Sequence, residues 1–179
     1  MIQSRCIDLF LMLSVIFLFS CKSTPGEQKT ENLFGEKETL MKVNKYFVEK
    51  ESAEIIESYV KRRNWQMEVT ESGLWYMIYE KGHGPKATIG KIATIEYCIT
   101  LLDGTVCYDS GNSGPKRFTI GRGGVEAGLE EGILMLRTGD KARFILPPHL
   151  AYGLLGDEEK ILPRSTIVYE VKVIEISDL

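Results

Sequence analysis

Ile145-Leu146-Pro147-Pro148-His149-Leu150-Ala151-Tyr152-Gly153 is the most telling stretch of this 179-residue chain. A strand there runs into a turn that presents Tyr152 beside Gly153. A tyrosine placed on a turn after a Pro-Pro pair is poorly explained as plain core packing, which is the usual role of strand-borne aromatics. Together with Tyr97, Tyr108, Asp109 and Phe118, it suggests an aromatic pocket.

Outward from that stretch, residues alternate with a period of two from Gly73 onward. Leu74 to Tyr79 reads as a strand and Gly82-His83-Gly84-Pro85 as a turn. Ile92 to Leu101 and Thr105 to Tyr108 read as a hairpin around Asp103-Gly104. Lys116 to Ile120, Lys141 to Leu146 and Thr166 to Ile176 are further strands. Val125 to Leu136 reads as a short helix ended before Gly139. Many short strands around one helix imply an α+β fold, an antiparallel sheet wrapped around a short helix. Upstream, Leu40, Val43, Phe47, Ile55, Ile56, Tyr59 and Val60 recur at helical spacing among Glu and Lys. Glu36 to Arg63 is therefore one long helix, or two broken near Ser52. Its role is packing or spacing in one reading, and joining two copies as a homodimer in the other.

The N-terminus reads as a targeting signal. Arg5 supplies a positive end, and Leu9 to Phe19 is apolar except for Ser14. That run is short for a bilayer-spanning helix, which needs about 20 residues. Leu18-Phe19-Ser20-Cys21 is similar to a bacterial lipobox, which makes Cys21 the first mature residue and the acceptor of palmitate-like acyl chains. An uncleaved anchor or an ordinary secretory signal is the alternative. The expected organisation is a lipoprotein signal over 1–20, a polar tether over 21–37, a helical segment over 38–70 and a globular domain over 71–179. Loss of Cys6 with the signal leaves Cys98 and Cys107 as thiols. With Asp103-Gly104 as a two-residue loop, Thr100 faces Cys107 and Cys98 lies diagonal to it, about 7 to 8 Å away. Packed thiols are the expectation, and a disulfide is the alternative in an oxidising compartment.

Several chemistries are set aside. A net charge of −3 gives no electrostatic footprint for nucleic acid. Asp109-Ser110-Gly111-Asn112-Ser113-Gly114-Pro115 looks superficially like a serine-protease loop, but His83 and His149, the two histidines, both stand in turn contexts. Gly121-Arg122-Gly123-Gly124 lacks the Lys-Ser or Lys-Thr of a phosphate loop. No zinc-ligand spacing is present, and neither metal nor cofactor is expected.

The motifs Ile95-Glu96-Tyr97, Leu102-Asp103-Gly104-Thr105-Val106, Tyr108-Asp109-Ser110, Phe118-Thr119-Ile120-Gly121, Gly128-Leu129-Glu130-Glu131-Gly132 and Leu150-Ala151-Tyr152-Gly153 follow one another in order. Over Gly73 to Ile176 the chain thereby resembles the catalytic domain of FKBP-type peptidyl-prolyl cis-trans isomerases. The resemblance implies that Tyr97, Tyr108, Phe118, Val125, Leu129, Ile161 and Tyr169 surround a substrate proline. It further implies that Asp109 and the Tyr152 hydroxyl are the polar catalytic groups, and that the Glu126 backbone N–H binds a substrate carbonyl. The chain departs from the family's common pattern at Leu129, often Trp, and at Glu126, often Ile. Asp157-Glu158-Glu159-Lys160 also forms a charged flap.

The expected activity is isomerisation of X-Pro bonds in proline-containing unfolded or folding proteins of the bacterial envelope. The lipid on Cys21 would hold the protein at the outer membrane, facing the periplasm. The alternative is a holdase or assembly factor that uses the same cleft without turnover. Ser72-Gly73-Leu74-Trp75-Tyr76 and the lipoprotein layout are also similar to isomerase lipoproteins of Bacteroidetes, some tied to gliding motility.

Overall fold

The computed structural model describes residues 42, 46 and 49–179. The signal 1–20, Cys21, the tether 21–37 and the residues from 38 to 41 lie outside the described residues. In the unit that spans Lys45–Leu179, seven strands form one antiparallel sheet. They are β1 (Glu68–Val69), β2 (Trp75–Glu80), β3 (Ile92–Leu101), β4 (Val106–Asp109), β5 (Lys116–Thr119), β6 (Lys141–Leu146) and β7 (Ile167–Ser177). Their order is β1-β2-β6-β7-β3-β4, with β5 also on β3.

The two-residue period of the central strands decides what covers each face. Ala142, Phe144 and Leu146 of β6, with Ile167, Tyr169, Val171 and Val173 of β7, point into one buried cluster. Ile145 and Val168, one residue out of step, join a second cluster on the opposite face. Helix α3 (Ala127–Ile133) covers the first face and buries Gly128, Leu129, Gly132 and Ile133. A Cβ on Gly132 would lie 2.8 to 3.0 Å from the Phe144 ring, and one on Gly128 would lie 2.5 Å from Leu146. The missing side chains are what let the helix approach the sheet so closely.

The second face is covered by helix α1, residues 49–62, through Ile56, Tyr59 and Val60. The packing role expected for the upstream helix is therefore visible in these residues. The helical segment drawn over 38–70 needs a correction at its end. The chain turns at Arg63-Asn64, where Asn64 has φ 53°, and residues 68 and 69 already pair with Tyr76 and Trp75. Local apolar spacing cannot show that Met67 and Trp65 belong to the sheet's outer cluster.

The β3–β4 hairpin also differs from its expected register. Leu101 N donates to Thr105 O at 2.9 Å and Gly104, at φ 94°, donates to Leu101 O at 3.0 Å, so the loop is Leu102-Asp103-Gly104, with one residue more than expected. A glycine at positive φ closing a three-residue loop introduces a bulge. Thr100 consequently faces Val106, and a further one-residue shift at Cys107 sets Ile99 opposite Tyr108 and Cys98 opposite Asp109. Both thiols are free, Cys107 being buried and Cys98 partly so. Burial pushes both thiols up, aided by Asp109 at Cys98 and by Asp157 at Cys107. Because the thiolate is the nucleophile, alkylation of these two residues by iodoacetamide at pH 8 is expected to be slow in the folded protein and to accelerate in denaturant. Peptide mapping by mass spectrometry measures this, and rapid native labelling of Cys107 would contradict it.

Candidate active site

Strand β3 positions the site because β4 and β5 share its outer edge, pairing with residues 98–100 and 92–95 respectively. The gap between them exposes the Tyr97 N–H, which donates to Ser110 Oγ at 3.0 Å. Ser110 opens a short helix, α2 (Ser110–Ser113), where the sequence read only as a loop. Asp109 is its N-cap. The carboxylate accepts Asn112 N at 3.0 Å and Asn112 Nδ2 at 2.6 Å, which satisfies an otherwise open helix donor. The Tyr97 hydroxyl pairs with Ser113 Oγ at 2.9 Å, so this helix anchors one wall of the cleft.

Tyr97 and Tyr169 meet with ring centroids 6.1 Å apart and tilted by 44°. Lys116 Nζ lies 5.0 Å from the Tyr97 centroid and 5.7 Å from that of Tyr169, and donates to the Tyr169 hydroxyl at 3.0 Å. Tyr169 in turn donates to Glu126 Oε2 at 3.1 Å. The other oxygen, Oε1, accepts the Tyr152 hydroxyl. The Glu126 side chain is 6% exposed, and Lys116 Nζ stands 3.8 Å from it. Burial pushes the Tyr152 phenol well above its ordinary range, and the hydrogen bond to Glu126 adds to this. Burial does the same to Tyr169, with the Glu126 charge adding to it. Both phenols are therefore neutral donors at any physiological pH.

The flap carries a second phenol–carboxylate pair. Tyr108 donates to Asp157 Oδ2, and also to Glu159 Oε2 at 3.3 Å. Asp157 Oδ1 collects the N–H groups of Glu159, Lys160 and Ile161 at 3.0, 2.9 and 2.7 Å. Burial alone would raise the Asp157 carboxyl, but the hydrogen bonds from Tyr108 and these backbone groups hold it below the usual carboxylate range. Of the acidic flap residues, Asp157 is thus a structural residue, while Glu158 and Glu159 are exposed. The charge of Asp157 and the nearby Tyr108 raise the Tyr152 phenol a little further.

Leu129 and Ile161, 0% and 2% exposed, lie beneath these groups in the main core, with Val125 packed against it. Phe118 is in the same core, 9% exposed. Of the residues expected at the site, Tyr97, Tyr152, Tyr169 and Glu126 are joined directly or through Lys116. Tyr108 stands on the flap side, and Asp109 acts as a helix cap. Glu126 is the N-cap of α3, its carbonyl accepting Leu129 N at 2.9 Å and Glu130 N at 3.0 Å. Sequence reasoning placed its backbone at the site and overlooked the role of its side chain. Lys116 was missed outright. The signal was present, since Lys116 and Phe118 alternate onto the same face of β5, and a cation there is what a buried carboxylate requires.

Residues 84–174 match the family model described as FKBP-type peptidyl-prolyl cis-trans isomerase. A probable FKBP-type peptidyl-prolyl cis-trans isomerase FkpA of Neisseria meningitidis is 40% identical over 112 residues, covering 62% of this chain and 40% of that relative. Fkbp12 of Drosophila melanogaster is 38% identical over 89 residues, covering 49% of this chain and 82% of the relative. The chain spans 40% and 65% of the length of the Neisseria relative and of FK506-binding protein 2 of Yarrowia lipolytica, respectively. Among solved structures, AtFKBP13 superposes with a TM-score of 0.59 at 34% identity, covering 62% of this chain and 98% of that one. An isomerase from Pseudomonas syringae, at 22% identity and a TM-score of 0.61, agrees in fold. With the family model spanning half the chain and every strand from β3 to β6 inside the match, the chain belongs to the FKBP-type peptidyl-prolyl cis-trans isomerase family.

Proposed function

We propose that this protein catalyses cis–trans isomerisation of X-Pro bonds in proteins folding in the bacterial cell envelope. Acyl chains on Cys21 would hold it at the outer membrane, facing the periplasm. What carries the activity is the group of aromatic side chains gathered on the core, with the Tyr97 and Tyr169 rings in contact, Tyr152 joined to Tyr169 through Glu126, and all three packed in one cluster with Leu129 and Ile161. Rotation about a peptide bond meets a barrier of about 18 to 20 kcal/mol because twisting breaks amide resonance, and neither a proton nor a covalent bond is transferred. The twisted amide is less polar than the planar one. A water-poor cleft lined by rings and aliphatic side chains therefore disfavours the ground state more than the transition state.

A slow reaction makes such a catalyst useful, since uncatalysed exchange takes roughly tens to hundreds of seconds and an unfolded client can aggregate meanwhile. A protease-free prolyl isomerisation assay, run beside refolding of a proline-limited protein, tests the activity. Acceleration of both supports the proposal. The uncatalysed rate together with suppressed aggregation would replace it with the holdase reading. Attachment is tested separately by labelling cells with a fatty-acid analogue, because stable anchoring needs more than one acyl chain. Label should be lost in Cys21→Ala, and label retained there would overturn lipidation at Cys21.

A further inference from the structure

Tyr152 has one phenolic proton, and in this structure Glu126 accepts it. A substrate carbonyl that needs the same proton must take it from a carboxylate, whose charge-assisted hydrogen bonds are roughly twice as strong as those to a neutral acceptor. We propose that Glu126 is a positioning residue that withholds the Tyr152 hydroxyl from the substrate, so that the cleft recognises its X-Pro segment by apolar ring contact. This rests on the cleft described above being the proline site, and it departs from the role that the family resemblance implies for Tyr152.

The arrangement around Glu126 supports a built network. Its two oxygens are divided between two tyrosines, Tyr152 on Oε1 and Tyr169 on Oε2. Lys116 compensates the charge from the Oε2 side, 3.8 Å away, while also donating to the Tyr169 hydroxyl. Tyr169 and Lys116 thus hold the carboxylate from one side and turn its other oxygen towards Tyr152. Lys116 is a basic group facing Glu126, and the Asp157 charge acts on the Tyr152 phenol.

This asymmetry predicts what a neutral replacement does. In Glu126→Gln the amide has one accepting oxygen and one donating NH2 group. Lys116 and the Tyr169 hydroxyl are both donors and select the oxygen for their side. The NH2 group is left facing Tyr152, where it donates to the phenol oxygen and leaves the phenol proton free for a substrate carbonyl. The substitution changes a few atoms and preserves the buried shape.

A double-mutant cycle on peptide affinity measures the coupling without depending on turnover. The full chain and its Glu126→Gln, Tyr152→Phe and doubly substituted forms are titrated calorimetrically with a blocked Leu-Pro peptide, each variant first checked for a native unfolding transition. Tyr152→Phe is expected to weaken binding less than twofold in the native background and about tenfold in the Glu126→Gln background, with Glu126→Gln alone binding more tightly than the native protein. An equal loss in both backgrounds would overturn the positioning role while leaving the isomerase reading standing. If the peptide binds with the predicted coupling but its isomerisation stays at the uncatalysed rate, the positioning role holds and the isomerase reading falls. Absence of binding in all four forms overturns both.

Discussion

Leu129→Ala should destabilise the protein by roughly 2 to 5 kcal/mol and weaken its catalysis at the same time. Leu129 is 0% exposed, on the face of α3 that meets the sheet. Truncation loses the transfer free energy of the removed methyl groups and opens a cavity, and the spread in cost reflects how far a site can collapse. Collapse is blocked here. A Cβ added to Gly128 or Gly132 would already meet Leu146 or Phe144 within 3 Å, so α3 cannot move closer to fill the void. Urea unfolding gives the stability, and Leu129→Met, a volume-conserving swap expected to cost less than about 1.5 kcal/mol, is the control. Loss of apolar contact beneath the proline ring should lower kcat/KM for a Leu-Pro peptide about tenfold or more. Equal stability of the alanine and methionine variants would refute the packing account.

The second large effect is expected at Gly156, on the flap. Its φ is 76°, and a Cβ there would lie 2.2 Å from the carbonyl oxygen of Ile161 and 2.9 Å from the carbonyl carbon of Leu162. These are backbone atoms, so the clash cannot be relieved by rotating a side chain. Backbone conformation alone costs a non-glycine residue on the order of 1 to 3 kcal/mol there, and relief of the overlap must open the turn closed by Asp157 N to Ile161 O at 3.0 Å. Opening it moves Asp157 away from Tyr108 and Ile161 away from the floor. Displacements near 1 Å at a site of this kind can cost about a hundredfold in rate, and that is the loss expected in kcat/KM for Gly156→Ala. Gly153→Ala separates the two causes, because Gly153 also has a positive φ, 66°, but open space around its missing Cβ. It should suffer the conformational cost with little loss of rate. Identical behaviour of the two variants would show that the Ile161 contact does not matter.

The ordered motifs from Ile95 to Gly153 made the family legible from the chain, and alternation made its strands legible, because both are local properties of sequence. Lys141 to Leu146 is a strand over just the residues expected. The aromatic set was readable for the same reason, whereas the capping of α2 by Asp109 emerged only with the fold. The β3–β4 register was not, since one added loop residue shifts which side chains face each other and nothing in Asp103-Gly104 alone fixes the loop length.

The family and the antiparallel α+β architecture are legible in the chain alone. What the polar groups of the candidate site do depends on how the chain packs. Lys116, Glu126, Tyr152 and Tyr169 come from four separate segments, and β5, the N-terminus of α3, the turn after β6, and β7 bring them together. A hydroxyl's partner depends on which acceptor lies within about 3 Å of it after folding, and that distance is set by packing rather than by spacing along the chain. The same holds for Asp157, whose charge read as a surface property and whose carboxylate in the fold ties Tyr108 to three backbone N–H groups.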